Sequence, residues 1–314
     1  MKKYIIKRLF EALITLLGIM VIDFLIMTML GNPIEIMSGG PKVSEAVLQQ
    51  RAENLGLNKP VYIQFINWFT STIKGDFGYS YKTFQKVSDM ILSHLGPTLI
   101  LPGTALLLSL VIAVSAGVYS AVHQHKKRDY AIVTGAFLGQ SIPGFFLAMV
   151  MIYLFAIKLK WLPSSGMKTL GSEGGVQFRY LILPSLVLAI GMAGSNIRYI
   201  RSAVLEILNK DYLRTARGKG IGRFLVIYKH AFRNALIPIV TVIGMEIPGL
   251  FGGSIIIEQL FSWPGLGLMT MNAILGRDYP VIMAMCLMSA IVVLAANLIT
   301  DILYAVVDPT VQLK

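Results

Sequence analysis

Four carboxylates stand within or at the edge of long apolar runs: Asp23, Glu246, Glu258 and Asp301. An ionisable group in hydrocarbon is costly, so an acid kept there is a candidate for contact with a polar cargo or an internal partner. Asp23, Glu246 and Glu258 are the candidates for a polar pathway. Asp301 follows Asn297 by one turn near the end of its run and reads as packing or capping. Glu246 precedes Pro248, Gly249, Gly252 and Gly253. Proline frees a backbone carbonyl and glycines permit close helix approach, so this segment reads as a bent, tightly packed helix lining a pathway. Glu246 would meet either a cationic group of a substrate or an internal partner. Glu258, close to Trp263 and Pro264, reads as bracing a loop more than touching cargo.

Other chemistries find little support. No GxxxxGK[ST] occurs, so the chain has no phosphate-cradling loop of its own. Gly218-Lys219-Gly220-Ile221-Gly222 follows a helical pattern rather than a strand, against dinucleotide binding. His94, His123, His125 and His230 are scattered, and His123 with His125 lacks a third ligand. Cys286, the one cysteine, lies in an apolar run, excluding a disulfide framework and a thiolate metal cluster. No Ser/His/Asp set or carboxylate pair falls at one depth. Neither catalysis nor a bound metal or cofactor is expected in this chain.

The elements that must position these acids are membrane helices. Of 314 residues, 55% are hydrophobic and 14% charged, and mean hydropathy is +0.68. Soluble domains carry about 25% charged residues, so most of this chain is solvated by lipid. A span needs about 20 mostly apolar residues. Six segments qualify: 9–31, 98–122, 131–157, 180–197, 234–257 and 279–304. The first resembles a secretory signal but runs too long and lacks a small-residue cleavage site, so it reads as an uncleaved span. The whole of 1–314 reads as a single all-α transmembrane domain.

The net charge of +12 sets orientation rather than nucleic-acid binding. With six spans, the N-terminus, the 123–130 loop, the 198–233 loop and the tail share one side and hold 17 Lys and Arg. Short loops opposite hold five, with six more in the long segment 32–97. Long segments cross regardless of charge, so both termini should be cytoplasmic and 32–97 extracellular. Within that outer segment Ser44 and Glu45 can open a helix that Gly56 closes. After Pro60, Val61, Tyr62, Phe65, Ile66, Trp68 and Phe69 share roughly one face. That helix would lie in the headgroups or offer a docking surface, and the two are compatible.

The inner segment Arg198–Pro238 carries nine Lys and Arg against Glu206 and Asp211. Apolar residues recur at helical spacing on both sides of Gly218, Gly220 and Gly222, which describes a helix–turn–helix that something docks against. Here the residues carry a family. Arg214-Thr215-Ala216-Arg217-Gly218-Lys219-Gly220 resembles the EAA loop of permease subunits of ATP-binding-cassette (ABC) importers, with Ala216 and Gly220 retained and Arg214-Thr215 in place of Glu-Ala. The I-x-L-P expected in that loop falls on His230-Ala231-Phe232-Arg233, a departure. RTARGKG followed by KHAFRNALIP resembles the dipeptide, oligopeptide and nickel group. Gly75–Ser80 (GDFGYS), Ser141–Phe145 (SIPGF), Ile257–Gly267 (IEQLFSWPGLG), Arg277–Pro280 (RDYP) and Asp308-Pro309 also fit, so the similarity covers essentially the whole chain.

The resemblance implies a type I importer transmembrane domain forming half of a pathway for di- or oligopeptides that works by alternating access. It implies a second permease subunit, in a heterodimer, two ATPase subunits that bind ATP and Mg, and an extracellular or periplasmic solute-binding protein. It places the chain in a bacterial cytoplasmic membrane. A short helix at about 211–224 would sit in a groove on the ATPase through Asp211, Leu213, Arg214, Thr215, Ala216, Arg217, Gly220 and Ile221. Leu213 and Ile221 would insert, since exposed ion pairs contribute only about 0–1 kcal/mol each. Nickel or a nickel chelate is the rival cargo, and an uncoupled scaffold or channel is the rival class. A scaffold would have no need of an EAA-type loop, and no His lies within a span to favour a metal route.

Overall fold

The computed structural model describes residues 2–30, 49–50, 53, 56–169, 171–210, 218, 242, 244, 246 and 254–307. Among these the chain is helical, with no strand and one isolated bridge, Tyr79 to Lys86. In chain order the helices are α1 (Lys2–Met29), α2 (Val61–Ile73), α3 (Val87–Val122), α4 (Lys127–Ser141), α5 (Gly144–Met151) continued by a π-helix (Ile152–Lys158), α6 (Phe178–Leu208), α7 (Ile255–Leu260), α8 (Leu266–Leu275) and α9 (Tyr279–Val307). Four of them, α1, α3, α6 and α9, are long and apolar enough to cross a membrane, and α4 with α5 and the π-helix makes a fifth if that bent pair is one span. The expected span 234–257 falls mostly outside the described residues.

The helices break within or run past the expected apolar segments for identifiable reasons. The run expected at 131–157 is broken, its halves bent by 97°. Pro143 has no N–H to donate and forces Ile142 into the extended region, with ψ 122°. The helix that holds the run 98–122 starts earlier, at Val87, because Val87 and Ile91 are core residues and Asp89 in the first turn suits the positive end of the helix dipole. The helix that holds the run 180–197 continues to Leu208. Ile197, Ile200 and Val204, at helical spacing, are all buried, so the basic inner segment begins as rigid helix. Gly56, with φ 67°, adopts the left-handed turn expected of it, though the helix before it lies largely outside the described residues.

Two compact units emerge, one of residues 1–98 and 264–295, the other of 99–263 and 296–314. The core of the first is built on Val87, Ile91, Met269, Tyr279, Ile282 and Met285. There α2 packs on α1 through Phe24, whose ring centroid lies 5.3 Å from Phe65 and 5.7 Å from Trp68. The aromatic face expected on α2 therefore divides: Phe65, Trp68 and Phe69 are half-buried, while Val61, Tyr62 and Ile66 stay exposed. Thr98 accepts the Leu266 N–H at 2.6 Å and so caps α8 from another helix.

In the second unit the part of α3 from 99 onward, α4 and α6 pack through small residues: Ala113, Ala121, Ala136 and Ala193 are buried together with Ile197, Ile200 and Val204. A Cβ on Gly194 would lie 2.6 Å from the Ala136 carbonyl, and one on Gly117 3.0 Å from the Ile197 carbonyl. Such backbone approach is how helices associate where no hydrophobic force separates protein from lipid.

Candidate functional site

Close packing of α3 and α6 sets three polar side chains together. The Asn196 amide donates to Glu246 Oε1 at 3.0 Å and lies 3.4 Å from Ser109 Oγ. Ser109 and Asn196 are buried and Glu246 is half-buried. The internal partner of Glu246 is therefore Asn196, and the half-exposed carboxylate keeps a face for a second contact. Among the described residues its side-chain partner is a neutral amide and not a cation. Beside it, Thr300 Oγ1 donates to the Gly244 carbonyl at 3.1 Å and the Ala296 carbonyl at 2.7 Å.

Glu258, on α7, has no exposed surface. Ser254 Oγ donates to its Oε1 at 2.8 Å, and its backbone carbonyl accepts the Trp263 N–H at 2.8 Å. Trp263 and Phe261 are buried beside it, Ser262 turns at φ 46°, and Gly166 N–H reaches the Phe261 carbonyl at 2.7 Å. This geometry braces the 258–264 turn. Asp23 belongs to the first unit, buried on α1, where the Cys286 thiol of α9 hydrogen-bonds its carboxyl. The three acids thus sit in separate settings, each with its own partners.

Two further polar clusters were not foreseen. Asp278 is buried in the first unit, where Ser80 Oγ donates to its Oδ2 and the Tyr81 N–H to its Oδ1 at 2.9 Å. Tyr81 faces Tyr279 edge-on, its phenol pushed up to about 12 by burial first and then by the Asp278 charge. The Lys82 side chain lies across Gly276, where any Cβ would collide with it. The GDFGYS and RDYP segments had both been singled out; what linear order hid is that they close on each other.

The second cluster pins three elements of the second unit. Arg201 on α6 grips Asp129 with both arms, Nε to Oδ1 at 2.7 Å and Nη2 to Oδ2 at 2.8 Å. Ser120, fully buried at the end of α3, donates to Oδ1 and accepts from Arg201 Nε at 3.1 Å. The His125 N–H donates to Oδ2 at 3.0 Å. The Arg201 guanidinium chiefly, then Ser120 and His125, hold the Asp129 carboxyl well below the usual carboxylate range against the opposing effect of burial. In the sequence Arg201 is one of the nine cations of the inner segment, and nothing in linear order marks Asp129 as its partner.

The residues expected to meet an ATPase, Asp211, Leu213, Arg214, Thr215, Ala216, Arg217, Gly220 and Ile221, lie outside the described residues. Among the described residues no three His, Cys, Asp or Glu side chains gather as metal ligands.

Several helices long and apolar enough to cross a membrane mark a membrane component, and sequence comparison gives its family. Residues 109–313 match the binding-protein-dependent transport system inner membrane component, and residues 1–102 match the N-terminal region of membrane components of the same systems. The chain belongs to this family: it is a permease subunit of an ABC importer, a multi-pass membrane protein and not an enzyme. It is 42% identical over 316 residues to the oligopeptide transport system permease protein AppB of Bacillus subtilis (strain 168), covering 99% of this chain and 100% of that one. It is 37% identical over 315 residues to the glutathione transport system permease protein GsiC of Escherichia coli (strain K12), covering 100% of both. The fold resembles that of the MetNI methionine ABC transporter in an inward-facing conformation, with a TM-score of 0.58 at 18% identity over 70% of this chain and 96% of that one.

Proposed function

We propose that this subunit forms half of the pathway of an ATP-driven importer for short peptides. What carries the reading is end-to-end similarity to permeases named for oligopeptide and glutathione transport, joined to a half-buried carboxylate, Glu246, held in the helix bundle by Asn196. The whole chain acts as one domain of six spans, with both termini cytoplasmic and the segment 32–97 outside. It pairs with a second, homologous permease subunit and receives cargo from a solute-binding protein on the outer side. Two separate ATPases dock at 211–224, with Leu213 and Ile221 inserted, Ala216 in the contact and Gly220 at the turn. Nucleotide-driven displacement there switches the pathway between outward and inward access by rigid-body motion of helices.

The test is transport by the reconstituted complex of both permeases, ATPases and binding protein. Labelled di- to hexapeptides should accumulate in the vesicles only with ATP. Uptake of a nickel complex with no peptide uptake would overturn the cargo assignment, and uptake without ATP would overturn the coupled class.

A further inference from the structure

The Asp129–Arg201 cluster serves no purpose that lipid solvation demands. A surface arginine on the cytoplasmic side needs no partner, and an exposed Asp129 would cost nothing to solvate. Instead the carboxylate is nearly fully buried and each of its oxygens takes two donors. Its donors come from the end of α3, the turn before α4, and α6. A bidentate Arg–carboxylate pair fixes both distance and angle, as a single lysine contact would not.

Its place along the chain matters as much as its geometry. Arg201 is one turn past Ile197 and two turns before Leu208, where α6 ends. The proposed ATPase-contact segment begins at Asp211. The seven residues of helix from Arg201 to Leu208 span about 10 Å, so a push delivered at the end of α6 reaches Arg201 within the same rod. We propose that Asp129, Arg201 and Ser120 are positioning residues for coupling: they lock α3, α4 and α6 into one body, so that displacement of the segment after α6 moves the pathway helices together. This rests on the assignment of 211–224 as the ATPase contact. The close backbone approaches at Gly117 and Gly194 hold the same helices side by side, while the ion pair resists sliding along their axes.

The experiment uses the reconstituted full complex and a radiolabelled pentapeptide that the unaltered complex imports. Asp129→Asn, Arg201→Lys and the milder Ser120→Ala are each measured for retention of the ATPases, for ATP hydrolysis, and for peptide imported per ATP hydrolysed. A merely structural role would lower the amount of complex and leave that last ratio unchanged. The expected result is retained ATPases, continued hydrolysis, and a ratio lowered by between about twofold and thirtyfold, least for Ser120→Ala. A ratio unchanged in every variant that assembles overturns the proposal, and Ser120→Ala, which strands no charge, assembles even if the other two do not. Ala216→Asp separates the two levels. If it keeps its ATPases and transports normally, the contact assignment is wrong. If it loses them while the three cluster variants keep a normal ratio, the coupling role alone is wrong.

Discussion

At the scale of single residues, the informative groups are those whose charge is buried and accounted for. Glu246 donates nothing and accepts from Asn196, so Glu246→Gln keeps the size and one acceptor while removing the charge. If a peptide amino terminus passes this site, uptake should fall at least severalfold with assembly and basal ATP hydrolysis intact. Unchanged uptake across several peptides would assign Glu246 to packing. For Asp129 the sign of the pH effect follows from its depressed pKa. The unfolded carboxyl titrates near about 3.9, so over the acid range the unfolded chain binds the proton that the folded chain refuses. The ion pair's stabilisation is therefore complete above that value and lost as pH falls through it toward the folded value. Thermal unfolding in detergent should lose midpoint below about pH 4 more steeply in the unaltered protein than in Asp129→Asn, which should be less stable at pH 7 by about 3–5 kcal/mol because Arg201 is left unpaired. Parallel pH profiles for the two would refute this. The acids in the spans were legible in the sequence because charge stands out against hydrocarbon. The partners of Glu246 and Glu258, Asn196 and Ser254, were not, since polar uncharged residues give no such contrast.

At the scale of elements, hydropathy picked out the apolar runs inside the four long helices and the bent pair, and missed where those helices stop and bend. Composition sees the apolar middle of α6 but not that Ile200 and Val204 carry its buried face into basic sequence. The SIPGF segment was noticed as a motif, while the mechanical consequence of Pro143, a 97° turn, came from backbone sterics. Helix contact on α6 makes a sharper prediction from two glycines one turn apart. Gly194→Ala would place a Cβ 2.6 Å from the Ala136 backbone carbonyl, which cannot rotate aside, whereas Gly191 has open space around its Cβ position. Gly194→Ala should lower stability by about 1–3 kcal/mol through overpacking, and Gly191→Ala should leave it unchanged or raise it by up to about 1 kcal/mol through helix propensity. Melting both variants in the same detergent checks this, and equal midpoints would remove the close contact from the account of how α4 meets α6.

At the scale of the whole molecule, the first unit is assembled from the two distant parts 1–98 and 264–295, which no local reading of the sequence displays. Its clasp joins Ser80 to Asp278 across 198 positions. That separation makes the clasp a clock. Ribosomes add about 5–20 residues per second, so for about 10–40 seconds the Gly75–Lys86 hairpin has emerged while its buried acid does not yet exist. Throughout that interval the segment lacks its anchor. Pulse-labelled chains arrested before Asp278 should be cut in this hairpin by protease added from outside, and completed chains should resist. Full-length Asp278→Ala should remain as cleavable as the arrested chain. If it resists cleavage like the finished protein, the last span and not the clasp would be what ends the window.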